Sequence, residues 1–303
     1  RFLSAINLTN LTLQLAAVGT ISVGVVLVLL LGEIDLSVGA VSGLAAGVMA
    51  VLAVKEGVSP ALSIVAGLLT GTLIGVFNGL MVTMFGIPSF VVTLAGLLAW
   101  QGALLAVLGN TGTINLPANT VITDLAGTFY DPWGGWVIGG AVVVAYLATG
   151  LNERRVRSRA GLEVDPIGGL IIRTVLVAAA VFAAVAVLSE DRGIPLAPLI
   201  LVAFCAIFVY ITKRTTFGRH IYAVGGNEEA ARRAGSNVNR VKIAVFAIAS
   251  TMAAAGGILA ASRLLAVNQA SGGGDLLLLA IAGPVIAGVS LFGGRGSVWA
   301  ALL

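Results

Sequence analysis

The sequence predicts an all-α fold, a polytopic transmembrane helix bundle, and three observations carry that prediction. Of the 303 residues, 58% are hydrophobic and only 10% charged, with a mean hydropathy of +1.07. Apolar runs long enough to cross a hydrocarbon layer of about 30 Å recur along the whole chain. Between them the Lys and Arg residues fall unevenly on alternate loops, the asymmetry that orients membrane proteins.

Taken in order, the apolar runs place spans at 14–32, 37–54, 60–82, 88–109, 134–150, 170–189, 194–212, 243–262 and 275–292, and one more begins near Ser297. That makes about ten spans in one transmembrane domain covering 1–303. Within it, 134–189 reads as an inserted hairpin and 213–242 as a cytoplasmic loop. Because the chain opens on Arg1 rather than Met and closes at Leu303 inside an apolar run, it is expected to be part of a longer protein with further spans at both ends. The single cysteine, Cys205, lies inside an apolar run, which excludes an intrachain disulfide and suits a small apolar filler.

Counting Lys and Arg fixes the orientation. The loops at 151–169, 213–242 and 293–296 carry 12, while Arg1, Lys55, Arg192 and Arg263 make 4 on the other side. The first set is therefore cytoplasmic, and the segment "NTGTINLPANTVITDLAGTFYDPW" at 110–133, without Lys or Arg, faces outward to meet an extracytoplasmic partner. A formal net charge of +4 needs no nucleic acid to explain it, since these basic residues sit beside an anionic inner leaflet. Two glycine ladders, Gly39, Gly43 and Gly47, then Gly67, Gly71, Gly75 and Gly79, each line one helix face and let another backbone approach, so these two spans belong in the bundle interior.

Enzyme chemistry finds no foothold. Lys55, Lys213 and Lys242 are followed by Glu, Arg and Ile, so no phosphate-binding loop of the G-x-x-x-x-G-K-[ST] type exists and the chain hydrolyses no nucleotide itself. One histidine, His220, makes no zinc motif, and "GGRG" at 293–296 has no preceding strand. No bound cofactor or metal is expected. Ionisable residues near spans, Glu33, Asp35, Arg173 and Asp275, all sit at span ends where they can reach headgroups, which argues against ion coupling through acidic residues. Asp35, with Ser37 two residues on, reads first as a helix cap or turn residue and second as a group on a permeation path. Neutral hydrogen-bonding groups suited to hydroxyls, Asn78, Ser89, Thr93 and Gln101, with Trp100 for stacking, complete the candidate path, although membrane Ser and Thr also bond to their own backbone.

One stretch stands apart: "GGNEEAARRAG", 225–235. Asn227 is a favoured N-cap, Glu228 and Glu229 lie at the positive end of the helix dipole, and Gly235 is a natural stop. Glu228 to Arg232 and Glu229 to Arg233 are spaced i to i+4 with the acid first. So short a helix is marginal alone, and Ala230, Ala231 and Ala234 form a face with little bulk, suited to a groove on another protein. A solvated linker helix is the plainer alternative.

Glu229, Ala230, Ala231 and Gly235 fit E-A-A-x-x-x-G, which resembles the cytoplasmic loop motif of ABC importer permeases, the helix that seats in the ATPase subunit. "FGRHIYAVGGNEEAARRAGSNVNRVK" (217–242), "GEIDLSVG" (32–39), "IPSFVVTLAG" (87–96) and "AGVSLFGGRGSV" (287–298) resemble, in order, stretches of the monosaccharide permeases for ribose, arabinose, galactose and xylose. The inserted hairpin, its basic loop "NERRVRSRAGLEVD" (152–165) and "DRGIP" (191–195) are similar to the D-xylose branch. Val289 stands where members carry Thr after Gly. The resemblance implies two permease copies around a pore, an extracytoplasmic sugar-binding protein, and a separate ABC ATPase that binds ATP and drives residues 226–235. A secondary sugar transporter or facilitator, working without an ATPase, is the rival reading, and a structural or sensory membrane protein a third.

Overall fold

A computed structural model of the chain describes residues 4–164 and 166–302. The apolar runs up to 243–262 fold as helices and 275–292 does so in part, with shorter helices joining them. In chain order these are α1 (Ala5–Leu30), α2 (Val38–Val54), α3 (Pro60–Met84), α4 (Ser89–Leu108), the short α5 (Val121–Gly127), α6 (Pro132–Arg159), α7 (Ile167–Ser189), α8 (Leu196–Arg214), α9 (Thr216–Gly226), α10 (Glu228–Arg233), α11 (Val238–Leu264) and α12 (Leu276–Ile286). Among the described residues, seven are long and apolar enough to cross a membrane. The expectation of about ten spans is corrected at two kinds of place: α2 is a shorter apolar helix, and the run 275–292 is helical only to Ile286, with Pro284 inside it. Beyond Ser297 the described residues form a 3-10 helix, Val298–Leu302.

The chain divides into two compact units. One contains Thr128–Leu196 with the stretch up to Thr12; the other runs from Leu13 to Gly127 and from Ala197 onward. In the first, α6 starts at Pro132, where a missing N–H costs nothing, behind Asp131, whose carboxylate accepts from the Gly134 N–H at 3.2 Å. Close approach of α7 is possible because α6 presents Gly135, Gly139 and Gly150 to Val181, Val185 and Leu170, and Trp136 stacks on Phe182 at 5.7 Å. The ends of the hairpin are joined by two short antiparallel strands, β2 (Phe129–Tyr130) and β3 (Ile194–Pro195).

In the second unit the glycine ladders admit the close backbone approach that their spacing predicts, but the expectation that both spans lie in the interior is corrected for α3, of whose apolar window only 28% is buried. A Cβ at Gly71 would lie 2.5 Å from the Ser250 carbonyl oxygen, one at Gly79 would lie 2.7 Å from the Ile243 Cα, and one at Gly75 would strike the Phe246 backbone, so α3 and α11 touch backbone to backbone. Gly39 and Gly43 admit the 271–272 turn against α2 in the same way. Of the seven helices long enough to cross a membrane the most enclosed is nevertheless α1, with no ladder and 83% of its apolar window buried.

Two sets of loops gather at opposite ends of α2. At its start meet residues 31–37, the 83–89 turn, α9, α10 and the 290–296 turn, held by Gly294 N–H to Leu30 C=O at 2.9 Å and Tyr222 O–H to Gly296 C=O at 2.9 Å. At its other end Lys55 Nζ donates to Leu108 C=O at 2.9 Å and Thr111 Oγ1 at 3.0 Å. There the strand β1 (Thr113–Asn115) pairs antiparallel with β4 (Ala266–Asn268), and Ser262 Oγ accepts from Ala126 N–H at 2.9 Å. This partition matches the charge count within this unit: the first set holds 213–242 and 293–296, predicted to be cytoplasmic, and the second holds Lys55, Arg263 and the 110–127 part of the segment predicted to lie outside.

Candidate coupling site

Three local devices make α10 a helix. Asn227 Oδ1 accepts from Ala230 N–H at 2.9 Å, closing the N-terminus. Arg232 donates to Glu228 at 2.8 Å and Arg233 to Glu229 at 3.1 Å, each an i to i+4 pair. At the C-terminus Gly235, at φ +85°, permits bonds from Gly235 N–H to Arg232 C=O and from Ser236 N–H to Ala231 C=O, both at 3.0 Å, the arrangement that satisfies the last orphan carbonyls.

The tie to the rest of the protein was not legible beforehand. Lys242, in the second turn of α11, reaches Glu228 at 2.8 Å and Glu33 at 2.7 Å. Its side chain is only 12% exposed and that of Glu33 16%, so both are largely withdrawn from water and held by pairing. The hydrogen bond from Lys242, together with the charges of Lys242 and Arg232, keeps the Glu228 carboxyl below its ordinary range in spite of partial burial. These groups border a cavity of about 340 Å³ completed by Thr83, Ser89 and Asn239.

Burial corrects the expected alanine face. Ala231 is 5% exposed and belongs to the apolar core, whereas Ala230, Ala234, Glu229 and Arg233 are exposed. The exposed surface of this stretch is therefore Glu229, Ala230, Arg232, Arg233 and Ala234, with the exposed Gly226, Asn227 and Gly235 at its ends; Ala231 is buried against the permease, and Glu228 is half-buried and tied to it by Lys242. A helix of six residues shows too few positions to fix that phase in advance.

Five of the seven candidate path residues come together around the 33–37 turn. Asp35 Oδ1 accepts from Ser37 N–H at 2.8 Å and Ser37 O–H at 2.6 Å, and Asn78 Nδ2 donates to Ser37 Oγ at 3.1 Å. Ser89 Oγ accepts from Ile34 N–H at 3.2 Å and Thr93 Oγ1 from Leu36 N–H at 3.0 Å. Helix α2 begins at Val38 with Ser37 at its N-cap, so Asp35 acts one step earlier than a cap, pinning the turn that leads in. All five are buried, and Asp35 Oδ2 and Asn78 Oδ1 have no partner among the described residues. Trp100 is half-buried, edge-on to Phe77 at 6.0 Å, and Gln101 is exposed.

Apolar helices packed through glycine, polar loops sorted to two ends, and a capped charged helix presented at one of them define a multi-pass membrane permease. The chain belongs to the family described as branched-chain amino acid transport system / permease component, whose model matches residues 7–303. Similar proteins include the xylose transport system permease protein of Haemophilus influenzae, 36% identical over all of this chain and 80% of the relative. Its Escherichia coli K12 namesake is 39% identical over all of this chain and 76% of the relative. The ribose import permease protein of Haemophilus influenzae is 30% identical, covering all of this chain and 75% of that protein. No solved structure matches.

Proposed function

We propose that the chain is the permease subunit of an ATP-driven monosaccharide importer, with D-xylose as its sugar. The observation that carries the reading is α10: a helix capped at both ends, charged on its exposed face and bound through Lys242 to the turn that precedes α2. Its exposed residues suit a cleft on an ABC ATPase subunit, which would bind and hydrolyse the ATP. The names of the most similar relatives, xylose at 36 and 39% identity against ribose at 30%, support the sugar. An extracytoplasmic binding protein delivers it to the 110–133 side, and two permease copies line the pore.

In this mechanism closure of the ATPase displaces α10. Glu228 and Lys242 pass the displacement to Glu33, and the 33–37 turn passes it to α3 through Asn78 and to α4 through Ser89 and Thr93. The helices then rock so that access alternates between sides. Asp35, Ser37, Asn78, Ser89, Thr93, Trp100 and Gln101 border the route that opens, where neutral groups exchange hydrogen bonds with sugar hydroxyls.

The test uses the permease reconstituted in vesicles with its ATPase and binding protein. Ala230→Trp and Glu229→Arg alter the exposed face only. Losing the Glu229 pair costs the helix itself no more than about 0.5 kcal/mol, so a large effect must arise at the interface. Both variants are expected to insert normally, lose ATP-dependent D-xylose uptake and retain the ATPase poorly. Parental uptake by both with the ATPase still bound would reduce α10 to a linker, and uptake persisting without any ATPase would make the protein a secondary transporter.

A further inference from the structure

The α6–α7 hairpin carries a feature that sugar transport does not use. At the cytoplasmic end a cavity of about 360 Å³ opens between the two helices, lined by Glu153, Arg154, Arg157, Val164, Leu170 and Arg173. Its inner end is set by a close crossing: a Cβ at Gly150 would come within 2.5 Å of the Leu170 side chain. Arg154 and Arg157, three residues apart on α6, share a face, and Arg173 joins them from the second turn of α7. Among the described lining residues three guanidinium groups thus face one carboxylate.

Position distinguishes this cluster from ordinary topology-setting charge. Arg173 stands inside an apolar run, flanked by Ile171, Ile172, Val175 and Leu176, all exposed. Among the described residues neither Arg157 nor Arg173 has a hydrogen-bond or ion-pair partner, while Glu153 and Arg154 are already engaged. A cation held at the level where acyl chains begin is stabilised by an anion that enters from the same side with an apolar tail. Guanidinium groups are suited to grip such an anion if it is a phosphodiester, through paired N–H donors.

We propose that the groove between α6 and α7 binds the phosphate of an anionic phospholipid of the inner leaflet, with Arg157 and Arg173 holding the headgroup and Ile172 and Leu176, on the same side of α7 as Arg173, contacting the acyl chains. The permease, extracted in mild detergent and delipidated, is titrated with dioleoyl phosphatidylglycerol and separately with dioleoyl phosphatidylcholine, and lipid retention is read by native mass spectrometry. Phosphatidylglycerol is expected to remain as a discrete adduct and phosphatidylcholine to wash away. Arg157→Gln with Arg173→Gln should weaken retention by about tenfold or more, each basic residue near an anionic surface contributing appreciably. Arg157→Lys with Arg173→Lys keeps the charge that orients the hairpin but removes the paired donors, and should weaken retention by about threefold. Arg263→Gln, on the opposite side, should change nothing. Parental retention in the Gln double variant, or an equal loss in Arg263→Gln, would overturn the assignment and leave these arginines a topological role alone. Should the Gln variant fail to insert, the Lys variant decides, and parental retention there overturns the proposal. Release of the lipid by millimolar inorganic phosphate would overturn it in favour of a soluble anion.

Discussion

The α3–α11 contact and the α6–α7 contact are both made through glycine, yet they differ in what each glycine meets. On α3 the neighbours are backbone: the carbonyl of Ser250 at Gly71, the Phe246 and Ala247 backbone at Gly75, the Ile243 Cα at Gly79. On α6 they are side chains: Val181 and Val185 at 3.2 Å from a Cβ at Gly139, Leu170 at Gly150. Burial follows suit, with 61% of the apolar window enclosed in α11 against 11% in α6 and 6% in α7. Glycine at a helix contact therefore describes two materials, a rigid seam in which backbone meets backbone and a hairpin in which it meets side chains while most of its surface is exposed.

The largest expected effect tests the seam. Gly75→Leu drives a branched side chain into the Phe246 backbone, and overpacking costs about 3 kcal/mol or more where nothing can yield; the thermal midpoint should fall by about 10 °C or the protein should fail to accumulate. A fall of less than a few degrees would show that the seam has slack. An intermediate effect concerns the ionic tie at the edge of the same unit. Lys242→Met leaves two carboxylates facing each other without their cation, at a cost of about 2 kcal/mol for partly buried groups, and Lys242→Arg should restore most of it. The pH dependence carries a sign. Because Glu228 is held below its ordinary value, its contribution is complete above the carboxylate's unfolded pKa and is lost as pH falls through the lowered folded one. Thermal midpoints below about pH 4.5 should decline less steeply in Lys242→Met than in the parent, and equal slopes would remove Lys242 as the cause. The smallest effect belongs to the hairpin: Gly139→Ala meets the methyls of Val181 and Val185 and the edge of the Phe182 ring rather than backbone and gains helix propensity of about 1 kcal/mol, so its midpoint should stay within about 3 °C of the parent. A collapse there comparable to that of Gly75→Leu would abolish the distinction.

Much of this was legible because it is local or periodic. Asn227, Gly235 and the two Glu to Arg pairs announce α10 within eleven residues, and ladders at every fourth position announce the inward faces of α2 and α3. The loop sorting within the larger unit followed from counting basic residues. What escaped the sequence was relational. Lys242 at the head of an apolar run reads as one more topology-setting charge, and nothing nearby points to Glu33. The burial of α1 escaped for the opposite reason, since a helix apolar all round has no face to single out. Ala231 was assigned to the wrong side because the phase of so short a helix is set by what it packs on. Strands β1 to β4, two or three residues each, are shorter than any alternating pattern can reveal.

Glu33, Lys242, Glu228 and Arg232 form a row of alternating sign, joined at 2.7, 2.8 and 2.8 Å. Parting the first link isolates an anion, and parting the last isolates a cation. Parting the middle one, between Lys242 and Glu228, leaves a neutral pair on each side, Glu33 with Lys242 on the body and Glu228 with Arg232 on α10. The row thus has a natural seam where α10 can lift from the rest of the permease without stranding a charge on either.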